Sequence, residues 1–207
     1  ALQRAVGLRE DPNVPIIACI SRLVKHKGFE LVTSAIHDIM ATNAQMVVLG
    51  TGDWNFEEAF RQAQAQYPGR FSANIMYSGS LSTAIYGGAD LFLMPSISEP
   101  CGLSQIIAMR YGTLPVVRET GGLRDTVRPC GVDNATGFTF ADINAHDMVW
   151  VIREAVNLYH NDKYTWNALQ RAGMTADFSW RSSAEEYLQV YNWITGLDMH
   201  PYGMGLG

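Results

Sequence analysis

The chain has no apolar stretch near the roughly 18 residues that a membrane-crossing helix needs. It also has no charged segment followed by an apolar run that would read as a secretory leader. Cysteine is scarce. Cys19, Cys101 and Cys130 are odd in number and lack metal-ligand spacing, so neither a disulfide framework nor a zinc site is expected. A reducing cytosol is the setting such usage fits. Positive charge is also short. Fifteen Lys and Arg stand against 20 Asp and Glu, a net charge of −5, which speaks against a general surface for nucleic acid or an acidic membrane. Any anion must be held by a local cluster, because the overall field repels it. There is no P-loop, no HExxH, no GxSxG, no internal repeat, no low-complexity tract and no linker. What remains is an ordinary globular balance over 207 residues, 47% hydrophobic and 17% charged, with ample material for a core.

Strand-like and helix-like runs alternate. Ile16 to Ile20 is a short, continuous apolar run and reads as a strand buried on both faces. Phe29, Val32, Ile36, Ile39 and Met40 recur at helical steps. Further strands are expected at Met46 to Leu49, Asn74 to Tyr77, Asp90 to Met94, Leu114 to Val117 and Gly137 to Phe140. Between them lie helical patterns at 56–66 and 81–88, from Gly102 to Tyr111, and at Leu123 to Val127. Residues 144–160, 162–175 and 182–195 then read as three consecutive helices. This alternation predicts the α/β class, a Rossmann-like doubly wound parallel sheet with extra C-terminal helices. Gly196 to Gly207 holds four glycines and a proline and reads as a loose tail.

In an open parallel sheet, ligands bind at the carboxyl ends of the strands. The unusual clusters fall there. Arg22, Lys25 and Lys27 follow the first strand and could clamp a phosphate; a solvated loop ahead of a helix accounts for the same charges. Glu99-Pro100-Cys101-Gly102-Leu103 opens a helix, whose unpaired N–H groups and positive dipole end suit an anion; simple acidic capping is the alternative. Thr120-Gly121-Gly122-Leu123 permits close approach of backbone to a ligand, or is an ordinary glycine turn. Gly50-Thr51-Gly52 lacks the third glycine of a dinucleotide fingerprint and reads as a strand–helix turn near the site. Cys101 has no evident base and reads as a small buried side chain beside the ligand. His26 is expected to be exposed, and the aromatic and Met positions of the last helices to pack. Several helix starts with glycine and nearby cations at one sheet edge suggest a phosphorylated ligand.

In this order and spacing the clusters resemble the bacterial glycogen synthases and plant starch synthases that use ADP-glucose. The matching segments are Ser21-Arg22-Leu23 with Lys27-Gly28, Ala89 to Ser96, Glu99 to Gln105, Arg110 to Val127, and Gly137-Phe138. The resemblance covers nearly the whole chain and is most specific from 89 to 127. It implies one half of a GT-B glycosyltransferase: residues 1–196 as the C-terminal, nucleotide-sugar-binding domain, 197–207 as a loose tail, and an N-terminal acceptor domain lying outside this chain. It implies that Arg22 and Lys27 grip the diphosphate and that Glu99 binds hydroxyls of the transferred glucose. Cys101, Gly102 and Leu103 would line the sugar and phosphate, Thr120, Gly121 and Gly122 would complete a phosphate loop, and Tyr77 would lie against the adenine. The chain departs from the family at Ser80 to Tyr86, which lacks a usual His-Arg pair, and at Ile97-Ser98; the second glutamate of the wider retaining GT-B pattern would fall at Ile107, as it does in much of this family.

The implied activity is retaining transfer of glucose from ADP-glucose, or binding of ADP, with an α-1,4-glucan as acceptor and no metal or other cofactor. Two cations and a helix end would oppose the charge of the departing diphosphate. No carboxylate pair is spaced for double displacement, and the family implies front-face attack assisted by the leaving phosphate. Three alternatives stand beside it: a GT-B enzyme using a UDP- or GDP-sugar, a module that binds ADP or glucan without catalysis, and a purely structural interaction domain. No nucleic-acid or membrane partner is expected, and the location implied is the bacterial cytoplasm.

Overall fold

The computed structural model describes residues 1–197. The chain divides into two compact units, Ala1–Met174 and a second from Thr175 onward. The first holds six strands: β1 (Ile16–Ile20), β2 (Gln45–Leu49), β3 (Phe71–Asn74), β4 (Leu91–Met94), β5 (Leu114–Arg118) and β6 (Phe138–Phe140). Its helices are α1 (Leu2–Ala5), α2 (Phe29–Ser34), α3 (Ile36–Met40), α4 (Trp54–Gln66), α5 (Gly79–Gly88), α6 (Ser104–Tyr111), α7 (Gly121–Thr126), α8 (Ala145–Asn161) and α9 (Lys163–Thr175). The second unit carries α10 (Trp180–Thr195), on which Trp180, Tyr187 and Trp193 are exposed. The tail expected at 197–207 lies, beyond Leu197, outside the described residues.

All strands are parallel, in the order β3-β2-β1-β4-β5-β6. Strand side chains alternate between faces, and here both faces are apolar. Ile17, Cys19, Met46, Val48, Leu91 and Leu93 enter one core cluster, while Ile16, Ala18, Val47, Leu49 and Phe92 enter another. That double burial is why β1, β2 and β4 read as continuous apolar runs rather than as alternating ones. Burial of the Cys19 thiol pushes its pKa up to about 12, so this cysteine serves as packing.

Two elements differ from expectation. The third strand is Phe71–Asn74, not Asn74–Tyr77. Pairing with β2 carries Phe71 into the core opposite Met46, and the polar residues on this strand find partners, as when the Ser72 hydroxyl donates to the Val6 carbonyl. The expected single helix over 29–40 is two, α2 and α3, broken at Ala35 (φ −112°, ψ 10°).

The order reverses direction between β1 and β4. Sequential winding runs outward through β2 and β3 on one side and through β5 and β6 on the other. The loops leaving the carboxyl ends of β1 and β4 therefore diverge, which opens a crevice at that switch point.

Candidate functional site

The loop after β1 ends in a tight 3₁₀ turn, Lys25–Lys27, closed by Gly28 in the left-handed region (φ 78°). The His26 carbonyl accepts from the Ile97 amide at 2.9 Å, which ties this turn to the loop after β4. The His26 ring is exposed, as expected. The tie brings two residues that are 72 positions apart into an ion pair: Lys27 Nζ lies 2.5 Å from Glu99 Oε2. Glu99 is only 8% exposed, and the buried Ser96 hydroxyl donates to the same carboxylate oxygen at 3.2 Å.

Lys27, Ser96, Glu99, Gly102 and Leu103 line a cavity of about 300 Å³ over the switch point. A second cavity, of about 330 Å³, is lined by Arg22, Gly50, Thr51, Tyr77 and Ser78. Ile20, Ser21 and Ser104 line both. Each is of the size that takes part of an extended small ligand. The first is lined by a cation, a carboxylate and the start of α6; the second has an exposed aromatic ring, Tyr77, at its edge. Helix first turns carry N–H groups without intrahelical acceptors and a partial positive charge. Gly50 and Thr51 lie where a strand–helix turn near the site was expected. Gly52 turns its N–H away, onto the Glu57 carboxylate at 3.0 Å, and this bond holds Glu57 below its ordinary pKa.

Of the residues singled out from sequence, the first cavity gathers Lys27, Glu99, Gly102 and Leu103, and the second takes Arg22 and Tyr77. Cys101, Thr120, Gly121 and Gly122 line neither. Cys101 is exposed rather than the small buried side chain expected, because α6 begins at Ser104 and the preceding turn faces solvent. Thr120–Gly122 sit behind the Glu99 turn. Gly122 N–H donates to the Glu99 carbonyl at 3.1 Å, and Cβ atoms on Gly121 and Gly122 would overlap the carbonyl oxygens of Glu99 and Cys101. The paired glycines thus allow a close approach of backbone to backbone.

Arg118, buried at the end of β5, has no role legible in the sequence. Its guanidinium donates to the carbonyls of Ser96 (2.8 Å), Ile97 (2.6 Å) and Ala141 (3.3 Å). It thereby fixes the segment that carries Ser96 to Glu99. In the sheet Arg118 pairs with Phe140, one residue beyond the Val117–Met94 pair. Replacing Arg118 with Met leaves the Ser96 and Ile97 carbonyls unpaired, and at about 1–3 kcal/mol for each buried unsatisfied group it should cost roughly 2–6 kcal/mol. Arg118→Lys should recover only part of this, since one ammonium cannot replace the fork. Urea unfolding midpoints measure both; equal midpoints for wild type and Arg118→Met would refute the clamp.

The family model of the glycosyl transferases group 1 matches residues 4–171. The glycogen synthase of Geobacillus thermodenitrificans is 48% identical over 202 residues, 97% of this chain and 41% of its own length. That of Clostridium acetobutylicum is 48% identical over 192 residues, 92% of this chain and 40% of its own. Among solved structures, the catalytic domain of starch synthase IV from Arabidopsis thaliana, bound to ADP and acarbose, superposes with a TM-score of 0.83 at 35% identity. It covers 95% of this chain and 42% of that one. The chain spans about two fifths of the length of the curated relatives it matches.

Proposed function

The chain belongs to the group 1 glycosyl transferases, and on that premise we propose that residues 1–196 are the donor-binding domain of a glycogen or starch synthase. The reaction is retaining transfer of glucose from ADP-glucose to the 4-OH end of an α-1,4-glucan. The observation that carries this reading is the Lys27–Glu99 pair beside the start of α6, in a cavity that shares walls with a second one edged by an aromatic ring.

The division of labour follows from charge. The diphosphate gains negative charge as the glycosidic bond breaks. Lys27, the amides at the start of α6, and Arg22 from the adjoining cavity oppose that charge, and such preorganised donors act most strongly where water is excluded. The sugar becomes oxocarbenium-like, and Glu99 beside it accepts hydrogen bonds from its hydroxyls and stabilises the positive character. Tyr77 lies at the edge where adenine would stack. Thr120, Gly121 and Gly122 act from behind, by letting the Glu99 turn pack close. An N-terminal acceptor domain, which the greater length of the relatives supports, would close the cleft over the glucan. Three free thiols among the described residues support a reducing, cytoplasmic setting.

Calorimetric titration of the chain with ADP and with UDP tests the reading. ADP should bind at least about 10-fold more tightly, a difference of roughly 1.4 kcal/mol. Equal affinities would favour another nucleotide-sugar donor, and no binding of either would favour a structural domain. With only this much of the cleft present, the chain alone should bind ADP yet not extend a glycogen primer; robust incorporation by it would refute the need for an acceptor domain.

A further inference from the structure

Gln105 stands on the first turn of α6 with no part of it exposed. Its amide nitrogen faces three acceptors: the Gly102 carbonyl at 2.8 Å, the Cys101 carbonyl at 3.2 Å and the Thr126 hydroxyl at 3.0 Å. Thr126 donates its own proton to the Gly122 carbonyl at 2.6 Å, so toward Gln105 it can only accept. The network therefore fixes which end of the amide is nitrogen. The other end, Oε1, is buried without a partner. An apolar side chain of equal volume would avoid that orphaned oxygen, so the glutamine costs the fold something.

What it holds explains why it is there. In a trans peptide unit the carbonyl and the following N–H point in opposite directions. Gln105 draws the carbonyls of Cys101 and Gly102 inward, so the N–H groups of Gly102 and Leu103 turn outward. Gly102 and Leu103 line the first cavity, opposite Lys27. Gly102 reaches this geometry through a left-handed backbone (φ 76°), and a Cβ there would stand 2.6 Å from Gln105 Oε1. We propose that Gln105 is a positioning residue that aims the amides of Gly102 and Leu103 at the diphosphate of the bound nucleotide. The inference rests on the donor-binding reading above.

The test compares ligands with and without phosphates. Gln105→Met keeps the volume and removes the clamp. In calorimetric titrations it should weaken ADP at least about 10-fold relative to wild type and leave adenosine within about 2-fold, because adenosine has nothing for those amides to hold. Gln105→Glu should depend on pH. When protonated, its carboxyl donates to the Gly102 carbonyl and binding approaches wild type; when ionised, it repels both carbonyls and the ratio of variant to wild-type ADP affinity falls. Should Gln105→Met fail to fold, this pH series carries the test alone. Unchanged ADP affinity in a folded variant, equal losses of ADP and adenosine, or a pH-independent ratio for Gln105→Glu would overturn the role. Failure of the wild-type chain to bind ADP would instead overturn the donor-binding reading, and the positioning role with it.

Discussion

Under the proposed function, Lys27→Met is expected to lower the rate of glucosyl transfer by the full-length protein about 100-fold, the cost of about 3 kcal/mol typical of removing one preorganised donor. Its ammonium is the cation nearest Glu99 and lines the same cavity as the start of α6. On the donor-binding reading it would therefore face both charges that develop as the donor bond breaks. The substitution should also destabilise the fold, because Glu99 would keep a nearly buried carboxylate with only the Ser96 hydroxyl beside it. Breaking a fully buried pair costs about 3–5 kcal/mol; the Lys27 side chain is 20% exposed, so roughly 2–3 kcal/mol is the expectation here. A double-mutant cycle with Glu99→Gln separates the two effects. If the residues act as a pair, the double variant should be more stable than Lys27→Met alone, while its activity stays low. Additive stabilities would show that the pairing is not energetic, and wild-type turnover in Lys27→Met would remove Lys27 from the mechanism.

The sheet was legible because a parallel strand buried on both faces has to be a short apolar run, and five of the six runs lie within a residue or two of the strands. The third failed for a physical reason. Ile75-Met76-Tyr77 is more apolar than Ser72-Ala73-Asn74, but the sheet recruits Phe71 for its core and satisfies the polar residues locally, which leaves Tyr77 96% exposed. The cations and the glutamate of the site were legible as residue types at strand ends. Their pairing was not, since it depends on a backbone hydrogen bond between His26 and Ile97. Gly121 and Gly122 announced a close approach, but not whether a ligand or another segment of chain would make it. Arg118 and Gln105 were silent because what they bind is carbonyl oxygen, which every residue carries. Side chains that hold backbone leave no complementary residue to find in a sequence, so the supporting layer of such a site emerges only with coordinates.

The same dependence on backbone makes Gly28→Ala a strongly damaging small substitution. Gly28 has φ 78°, a conformation that costs an L-residue about 1–2 kcal/mol. The added Cβ would also stand 1.9 Å from the Pro95 carbonyl oxygen, and that oxygen is main chain, unable to swing aside as a side chain could. Overpacking typically adds about 1–3 kcal/mol, so a loss of roughly 2–5 kcal/mol follows. The contact joins the loop after β1 to the loop after β4, across the switch point itself. Relief of the overlap has to push those loops apart and draw Lys27 away from Glu99. Nucleotide affinity should therefore fall by more than the stability loss explains, with the variant still binding weakly at temperatures where it is folded. Gly79 provides the control: it lies in the wall of the second cavity, has open space where a Cβ would go, and should accept alanine with little change in unfolding midpoint. If Gly28→Ala matched Gly79→Ala in midpoint and in ADP affinity, the two loops would not be coupled in the way that the site requires.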